Sequence, residues 1–426
     1  MKNVLILSFG SALSQLIIVA CTPLLSRLYG TADFGNFYLF VSISSILTCV
    51  STLKYELAIF LPKDVEDSLK VVNVSFLFII FFAVLSFLCF SIIWLGSWFE
   101  SALFSSSIVF LVPFTILVAG AVSVFNLWFN REKKYKTLIF IAILQSALNV
   151  AICLTYPHFF SSTFVGLILG YVGSLIISLM IYCTLFFNFL KGYLISYSSL
   201  FRNFFKLSAL RATIRKYSSF PKFTLWSELF MIFSQQFLPF FFSLFFLPSI
   251  VGLISMANRL LRLPVIMISN SFWSIFRNSA MENVHSGLGL EIFFLKTLRK
   301  LCLLALFGSI TSIFFLPYLF QFFLGEEWRM AGRFAQISLI AVALEFVSFP
   351  LTNVFVMTKK QHLLFKIQSG GFLVAIVGIF ATYQLTKNPF CCLVSYSSCV
   401  SLQHLFLIFA SYKIVKRSNT SDFIFT

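Results

Sequence analysis

Two arginines stand one turn apart inside an apolar run. Arg259 and Arg262 lie within residues 250–276, with Asn258 beside them and Asn270 further on. Positions 255, 259, 262, 266 and 270 advance by four, three, four and four, which places them on one face of a helix. Two arginines at mid-depth against lipid would cost roughly 5–7 kcal/mol. That face must look into a wet cavity or at a partner; the bland alternative is that both side chains snorkel to the outer surface. Two carboxylates are placed in the same unusual way. Glu228 opens the run 223–246 and is followed by Gln235, Gln236 and Pro239; Glu345 sits in the run 334–357, followed by Asn353. A carboxylate at such a place is a proton site or an arginine's partner, and both are coupling candidates. Pro239 can kink its helix or mark a flexible segment. Ser8, Ser11, Gln15, Thr22 and Ser26 share one helical stripe, and Tyr38, Ser42, Ser45 and Thr52 another. Such stripes line cavities or serve as helix-packing surfaces. Gln15, Asn258, Asn270 and Gln235 are the candidate cavity-lining polar residues.

Other chemistry is not announced. No Walker sequence occurs, and Gly287-Leu288-Gly289 is a lone glycine pair. No His-Glu-x-x-His is present, and His158, His285, His362 and His404 are scattered over loops and helix ends, where a solvated or interfacial histidine is the ordinary reading. The nine cysteines lie in or beside apolar runs, without metal-ligand spacing, and the Cys391-Cys392 pair is adjacent. No metal, no cofactor and no catalytic residue is expected, and the outer loops are too short to house an enzyme site.

The elements that must hold these residues follow from composition. The 426 residues are 59% hydrophobic and 11% charged, against about 25% charged in a soluble domain. Lipid is the remaining solvent. The apolar runs are too long for barrel strands, which leaves helices. Twelve runs can be marked: 5–26, 35–53, 71–95, 108–129, 138–157, 164–187, 223–246, 250–276, 300–323, 334–357, 363–385 and 390–412. Met1-Lys2-Asn3 leads straight into the first, which reads as a spanning helix and not as a removed signal peptide. Of the 31 Lys and Arg, 25 fall in the even-numbered loops, at their edges (Lys300 and Lys366 lie just inside runs nine and eleven) or at the two ends, four in the odd-numbered loops, and two are Arg259 and Arg262. By the positive-inside rule both termini are cytoplasmic. The net charge of +17 therefore belongs to membrane topology, and no nucleic-acid partner is expected. The 59 Phe residues are attributed to codon usage.

The expected architecture is all-α and integral to the membrane, with about twelve transmembrane helices. Residues 1–190 form an N-terminal six-helix lobe, 191–222 a basic cytoplasmic linker, 223–412 a C-terminal six-helix lobe and 413–426 a cytoplasmic tail. Within the linker, 199–217 can form a basic amphipathic helix on the inner leaflet. Asp33-Phe34-Gly35 and Ile250-Val251-Gly252, which open corresponding helices, are a weak internal echo. It suggests parallel repeats enclosing a central cavity.

The first 65 residues resemble a known family. Pro23-Leu24-Leu25-Ser26-Arg27-Leu28-Tyr29-Gly30, Asp33-Phe34-Gly35 and Lys54-Tyr55-Glu56-Leu57-Ala58-Ile59-Phe60-Leu61-Pro62 are similar to O-antigen flippases and polysaccharide exporters of the multidrug/oligosaccharidyl-lipid/polysaccharide exporter superfamily. Val251-Gly252-Leu253, Ala257-Asn258-Arg259-Leu260 and Pro264 resemble that superfamily's opening of the second half. The resemblance implies translocation of an undecaprenyl-diphosphate-linked oligosaccharide from the cytoplasmic to the periplasmic leaflet of a bacterial inner membrane, through a cationic central cavity. It implies that the substrate and membrane lipids are partners, with the polymerase and chain-length proteins of the same pathway as further ones. Arg259, Arg262 and Lys54 become candidates for the diphosphate. The family often has Arg near Lys54; Lys keeps the charge and loses bidentate geometry. Glu56 is then a pairing partner for Lys54.

Rival classes remain. A polysaccharide polymerase or ligase usually carries a sizeable outer loop, which this chain lacks. A drug/cation antiporter of the same superfamily favours an acidic or apolar cavity, against which the arginines argue. A scaffold membrane protein does not need buried charge.

Overall fold

The structure is a computed structural model describing residues 2–96, 106–196, 207–263, 265, 290–358 and 360–417. Its long helices fall on the apolar runs, the eighth of which is described only to residue 263 and at 265. They are α1 (Lys2–Leu28), α2 (Thr31–Ser51), α3 (Val65–Gly96), α4 (Leu111–Arg131), α5 (Tyr135–Phe159), α6 (Phe164–Ser196), α7 (Leu225–Phe245), α8 (248–263), α9 (Leu290–Leu324), α10 (Arg329–Leu351), α11 (Gln361–Thr386) and α12 (Pro389–Arg417). Among the described residues ten helices are long and apolar enough to cross a membrane; α1 contributes the shorter apolar stretch Ala12–Leu28. The exteriors confirm lipid as solvent. On α3, Ile80, Phe81, Val84, Leu88, Ile92 and Leu95 are exposed, and on α9 so are Phe307, Phe314 and Phe322. Contiguous apolar faces of this extent are not found on water-facing surfaces. The chain is a multi-pass, all-α membrane protein.

The chain divides into two compact units, Met1–Gly252 and Leu253–Thr426. In the first, α1 packs on α5, α3 on α4, and α2 against α4, α6 and α7. The seventh helix therefore lies with the first six by packing, although the basic linker separates it from them in sequence. Tyr55, Val71, Val124, Phe125, Trp128 and Tyr182 make the centre of its core. In the second, α9 packs on α10, α11 on α12, and α10 on α12. Phe294, Leu301, Leu351, Phe355 and Leu407 are at its centre.

Two short segments position functional groups in the first unit. The helix Leu207–Lys216 lies in the expected basic linker. It does not stand apart from the bundle: Leu210 and Tyr217 join the core, because the apolar side of an amphipathic turn finds protein before lipid. The link between α2 and α3 is pinned by Arg131 at the end of α4, which donates to the carbonyls of Pro62 and Lys63 at 3.2 Å each and pairs with Glu132 at 2.9 Å.

The echo noted between the openings of α2 and α8 has a packing meaning. A Cβ on Gly35 would stand 1.8 Å from the carbonyl oxygen of Pro248, and one on Gly252 would stand 2.0 Å from that of Thr31. The two helix starts touch backbone to backbone, which only glycine allows. Asp33 ties the same end together. Its carboxylate accepts from the Gly30 N–H at 3.1 Å and from the Phe164 N–H, which opens α6, at 2.8 Å.

Candidate functional site

Lys54 owes its position to a sharp break in the chain. The last turn of α2 gives way to Leu53 and Lys54, both left-handed at φ 48° and 61°. Two consecutive non-glycine residues in that region store strain. The Thr52 hydroxyl accepts from the Lys54 N–H at 3.2 Å, and the chain runs on into the 3-10 turn Tyr55–Phe60. Tyr55 anchors this turn: its ring stacks on Phe78 at 5.5 Å and its hydroxyl donates to the carbonyl of Ile214 at 3.2 Å.

Lys54 Nζ then stands 3.7 Å from Glu56 Oε1 and 4.0 Å from Glu228 Oε2. Both distances exceed a direct hydrogen bond, so one ammonium is shared by two carboxylates through charge alone. Glu228 lies in the first turn of α7, which is entered through the π-helical turn Phe220–Thr224. Glu56 is only 3% exposed, and its Oε2 has no hydrogen-bond partner among the described residues. Burial pushes its carboxyl above the usual carboxylate range, against opposing pulls from Thr52 and Lys54.

The second unit holds a tighter pair. Arg262 Nη2 lies 3.1 Å from Glu345 Oε2, joining α8 to α10, with side chains 35% and 26% exposed. The pair is reachable but not bathed in solvent. Arg262 Nε is buried and has no hydrogen-bond partner among the described residues. One turn beyond Glu345, the Ser348 hydroxyl lies 2.8 Å from His404 Nδ1 on α12. His404 is within electrostatic reach of both Arg262 and Glu345.

The structure thus brings two coupling candidates onto two cation candidates: Glu228 onto Lys54, and Glu345 onto Arg262. Arg259, half-buried one turn earlier, has no ion-pair partner among the described residues. Asn258 donates back to the carbonyl of Ile254 at 3.0 Å. Gln15 and Gln235 are exposed on α1 and α7; it is Gln236, beside Gln235, whose Oε1 lies 2.9 Å from the Ser42 hydroxyl of α2. Asn270 lies outside the described residues. Among the described residues no group of three or more His, Cys, Asp or Glu is arranged to hold a metal ion.

Two features escaped the sequence reading, the contact of His404 and the burial of Glu56. His404 was grouped with the interfacial histidines, though Ser397 and Ser401 on its helix gave a polar stripe leading to it. Glu56 was paired with Lys54 correctly, but nothing in the sequence signalled the depth of its burial.

Known proteins give the arrangement a context. The model of a family described as polysaccharide biosynthesis protein matches residues 1–276. No curated protein matches the chain. Among solved structures, the lipid II flippase MurJ in an inward closed conformation is 13% identical, with a TM-score of 0.64 over 98% of this chain and 89% of that one. An inward-facing multidrug resistance MATE family transporter of the MOP superfamily is also 13% identical, with a TM-score of 0.62 over 97% and 95%. A MOP superfamily transporter from Pyrococcus furiosus is 13% identical, with a TM-score of 0.58 over 98% and 97%. At these identities the likeness carries the fold.

Proposed function

We propose that this chain, which belongs to the polysaccharide biosynthesis protein family, is a flippase for a lipid-linked oligosaccharide. Its substrate is an undecaprenyl-diphosphate-linked repeat unit of O-antigen or a similar surface polysaccharide. It moves the unit from the cytoplasmic to the periplasmic leaflet of the bacterial inner membrane by alternating access, without catalysis of its own.

The observation that carries this reading is the Arg262–Glu345 pair at 3.1 Å on helices that run through apolar sequence. A lipid diphosphate is a compact anion on an apolar tail. Capture needs fixed positive charge near lipid, and release needs that charge to have somewhere else to go. Glu345 provides the alternative partner. With substrate bound, the guanidinium fork grips two phosphate oxygens; with substrate gone, the carboxylate takes its place. Arg259, one turn away on α8, can share the same diphosphate. An inside-negative potential adds about 2.3 kcal/mol per charge per 100 mV to outward movement of the anion. A drug/cation antiporter would need a carboxylate free to take its cation, and Glu345 already holds Arg262.

The test is deletion of the gene with the rest of the pathway intact. Unflipped lipid-linked repeat units should accumulate on the cytoplasmic side. Arg262→Ala and Arg259→Ala should fail to restore export at normal expression, and Lys at either position should restore it partly. Normal surface polysaccharide in the deletion strain, or full export by the double alanine variant, would end this reading.

A further inference from the structure

We propose that Lys54 is an exchangeable cation, shared by Glu56 and Glu228 in the empty protein and given up to the diphosphate on capture, and that Glu56 takes up one proton when Lys54 leaves. The proposal rests on the lipid-diphosphate reading above and adds the ion linked to it.

The charge balance of the cluster leads there. Lys54 carries one positive charge against the two negative charges of Glu56 and Glu228. Both contacts are long, so the ammonium is held loosely and an incoming phosphate can compete for it. Glu56 cannot turn to water in compensation, since it is 3% exposed and its Oε2 is already buried without a partner among the described residues. An ionised carboxylate in such a place is tolerable only with a cation beside it. Among the described residues, the charged groups acting on Glu56 are Lys54 and Glu228, with Thr52 as a hydrogen-bond partner; the thiol of Cys49, one turn back on α2, sits in the same cluster. The neighbouring α3 and α4 share an apolar cluster with the 3-10 turn, with Leu69, Val72 and Phe125 among its members, and the π-helical turn Phe220–Thr224 packed on it carries Lys222. Once Lys54 departs, no other positive charge among the described residues acts on Glu56. A proton from water then binds its free oxygen and turns the carboxylate into a neutral acid. Glu228, 35% exposed, can keep its charge in contact with water. Burial already holds Glu56 above the usual carboxylate range while Lys54 is present, and loss of Lys54 moves it further the same way.

Linkage makes the consequence measurable. If capture takes up one proton, affinity for the diphosphate must weaken as pH rises, by up to about tenfold per pH unit. The experiment is calorimetric titration of the purified full-length protein in lipid nanodiscs with undecaprenyl diphosphate, repeated in buffers of different ionisation enthalpy. Wild type should take up close to one proton per ligand over part of the pH range. Glu56→Gln should bind with that uptake lost and the pH dependence flattened. Glu228→Gln should keep the uptake. Lys54→Gln, in which nothing is left to exchange, should lose the uptake and bind more weakly. Size-exclusion profiles establish that each variant is folded. Binding by wild type without proton uptake, or uptake undiminished in Glu56→Gln, would overturn the exchange while leaving the substrate reading in place. No binding by wild type would overturn both.

Discussion

Arg262 and Glu345 hold each other at 3.1 Å across α8 and α10. If the carboxylate is the arginine's resting partner, the two act as a unit and their substitutions must be non-additive. Arg262→Ala is expected to lower export at least tenfold. Glu345→Gln should lower it less, since the arginine can still meet the substrate but loses its route to release. The double variant should be no worse than Arg262→Ala alone. Export rates measured in cells at matched protein levels test this; simple multiplication of the two single effects would mean that the residues serve separate purposes.

The contact between the starts of α2 and α8 gives a stability prediction. A methyl group at Gly35 or Gly252 would lie within 2.0 Å of a backbone carbonyl oxygen, and backbone cannot yield as a side chain does. Overpacking of this kind costs about 1–3 kcal/mol. Gly35→Ala and Gly252→Ala should each lower the thermal midpoint of the purified protein. Gly308→Ala, where a Cβ would meet nothing within 4 Å, should not. Unchanged midpoints in both of the first two variants would show that the helix starts can separate at little cost.

The helical membrane fold was legible because lipid imposes a length and a polarity on every spanning segment, and nearly all the described residues of the apolar runs are helical. The charged residues were legible for the same reason: a charge in an apolar run has to be explained. What could not be read was pairing. Nothing in the spacing of Arg262 and Glu345 says that they meet, since they lie on different helices and far apart in sequence. The α2–α8 echo was visible as a repeat of short motifs, yet its meaning as a backbone contact depends on how helices pack. Glu56 was hidden in another way. Its burial comes from a left-handed turn at Leu53 and Lys54, a conformation that neither residue type advertises. Gln235 and Gln236 were indistinguishable in sequence, and only helix rotation puts Gln236 on Ser42.

Glu56 also gives a pH dependence of stability. Burial raises its carboxyl in the folded chain above the value it has when unfolded, so the folded state binds that proton more strongly. The stability this contributes is fully present below the unfolded value and is lost as pH rises through the folded one. Glutamine is neutral throughout. Glu56→Gln should therefore flatten the fall in thermal midpoint on the alkaline side of the usual glutamate range, and should match or exceed wild type at neutral pH. A wild-type profile that climbs with pH over that range, or one that Glu56→Gln leaves unaltered, would show that Glu56 is not held as described.

Orientation in the membrane rests on charge alone and can be tested by where the loops lie. The link between α3 and α4 carries no Lys or Arg, whereas Lys133 and Lys134 lie between α4 and α5, with Arg131 ending α4 and Lys136 in the first turn of α5. The link from α6 to α7 is basic as well, including Arg211, Arg215 and Lys216 on the helix Leu207–Lys216. Basic residues resist translocation, so the last two are expected on the cytoplasmic side and the first outside. Arg131 has a second use that fits this side. It pins the link between α2 and α3 by its carbonyls, and Lys54 lies in that link. The Lys54 cluster should then lie at the cytoplasmic end, where the proposed inner-leaflet substrate would arrive. Reporter fusions at residue 97 are expected to read periplasmic, and fusions at 133 and 210 cytoplasmic. The opposite reading at 133 would put Lys54 at the periplasmic end, and capture of an inner-leaflet substrate by that lysine would be untenable.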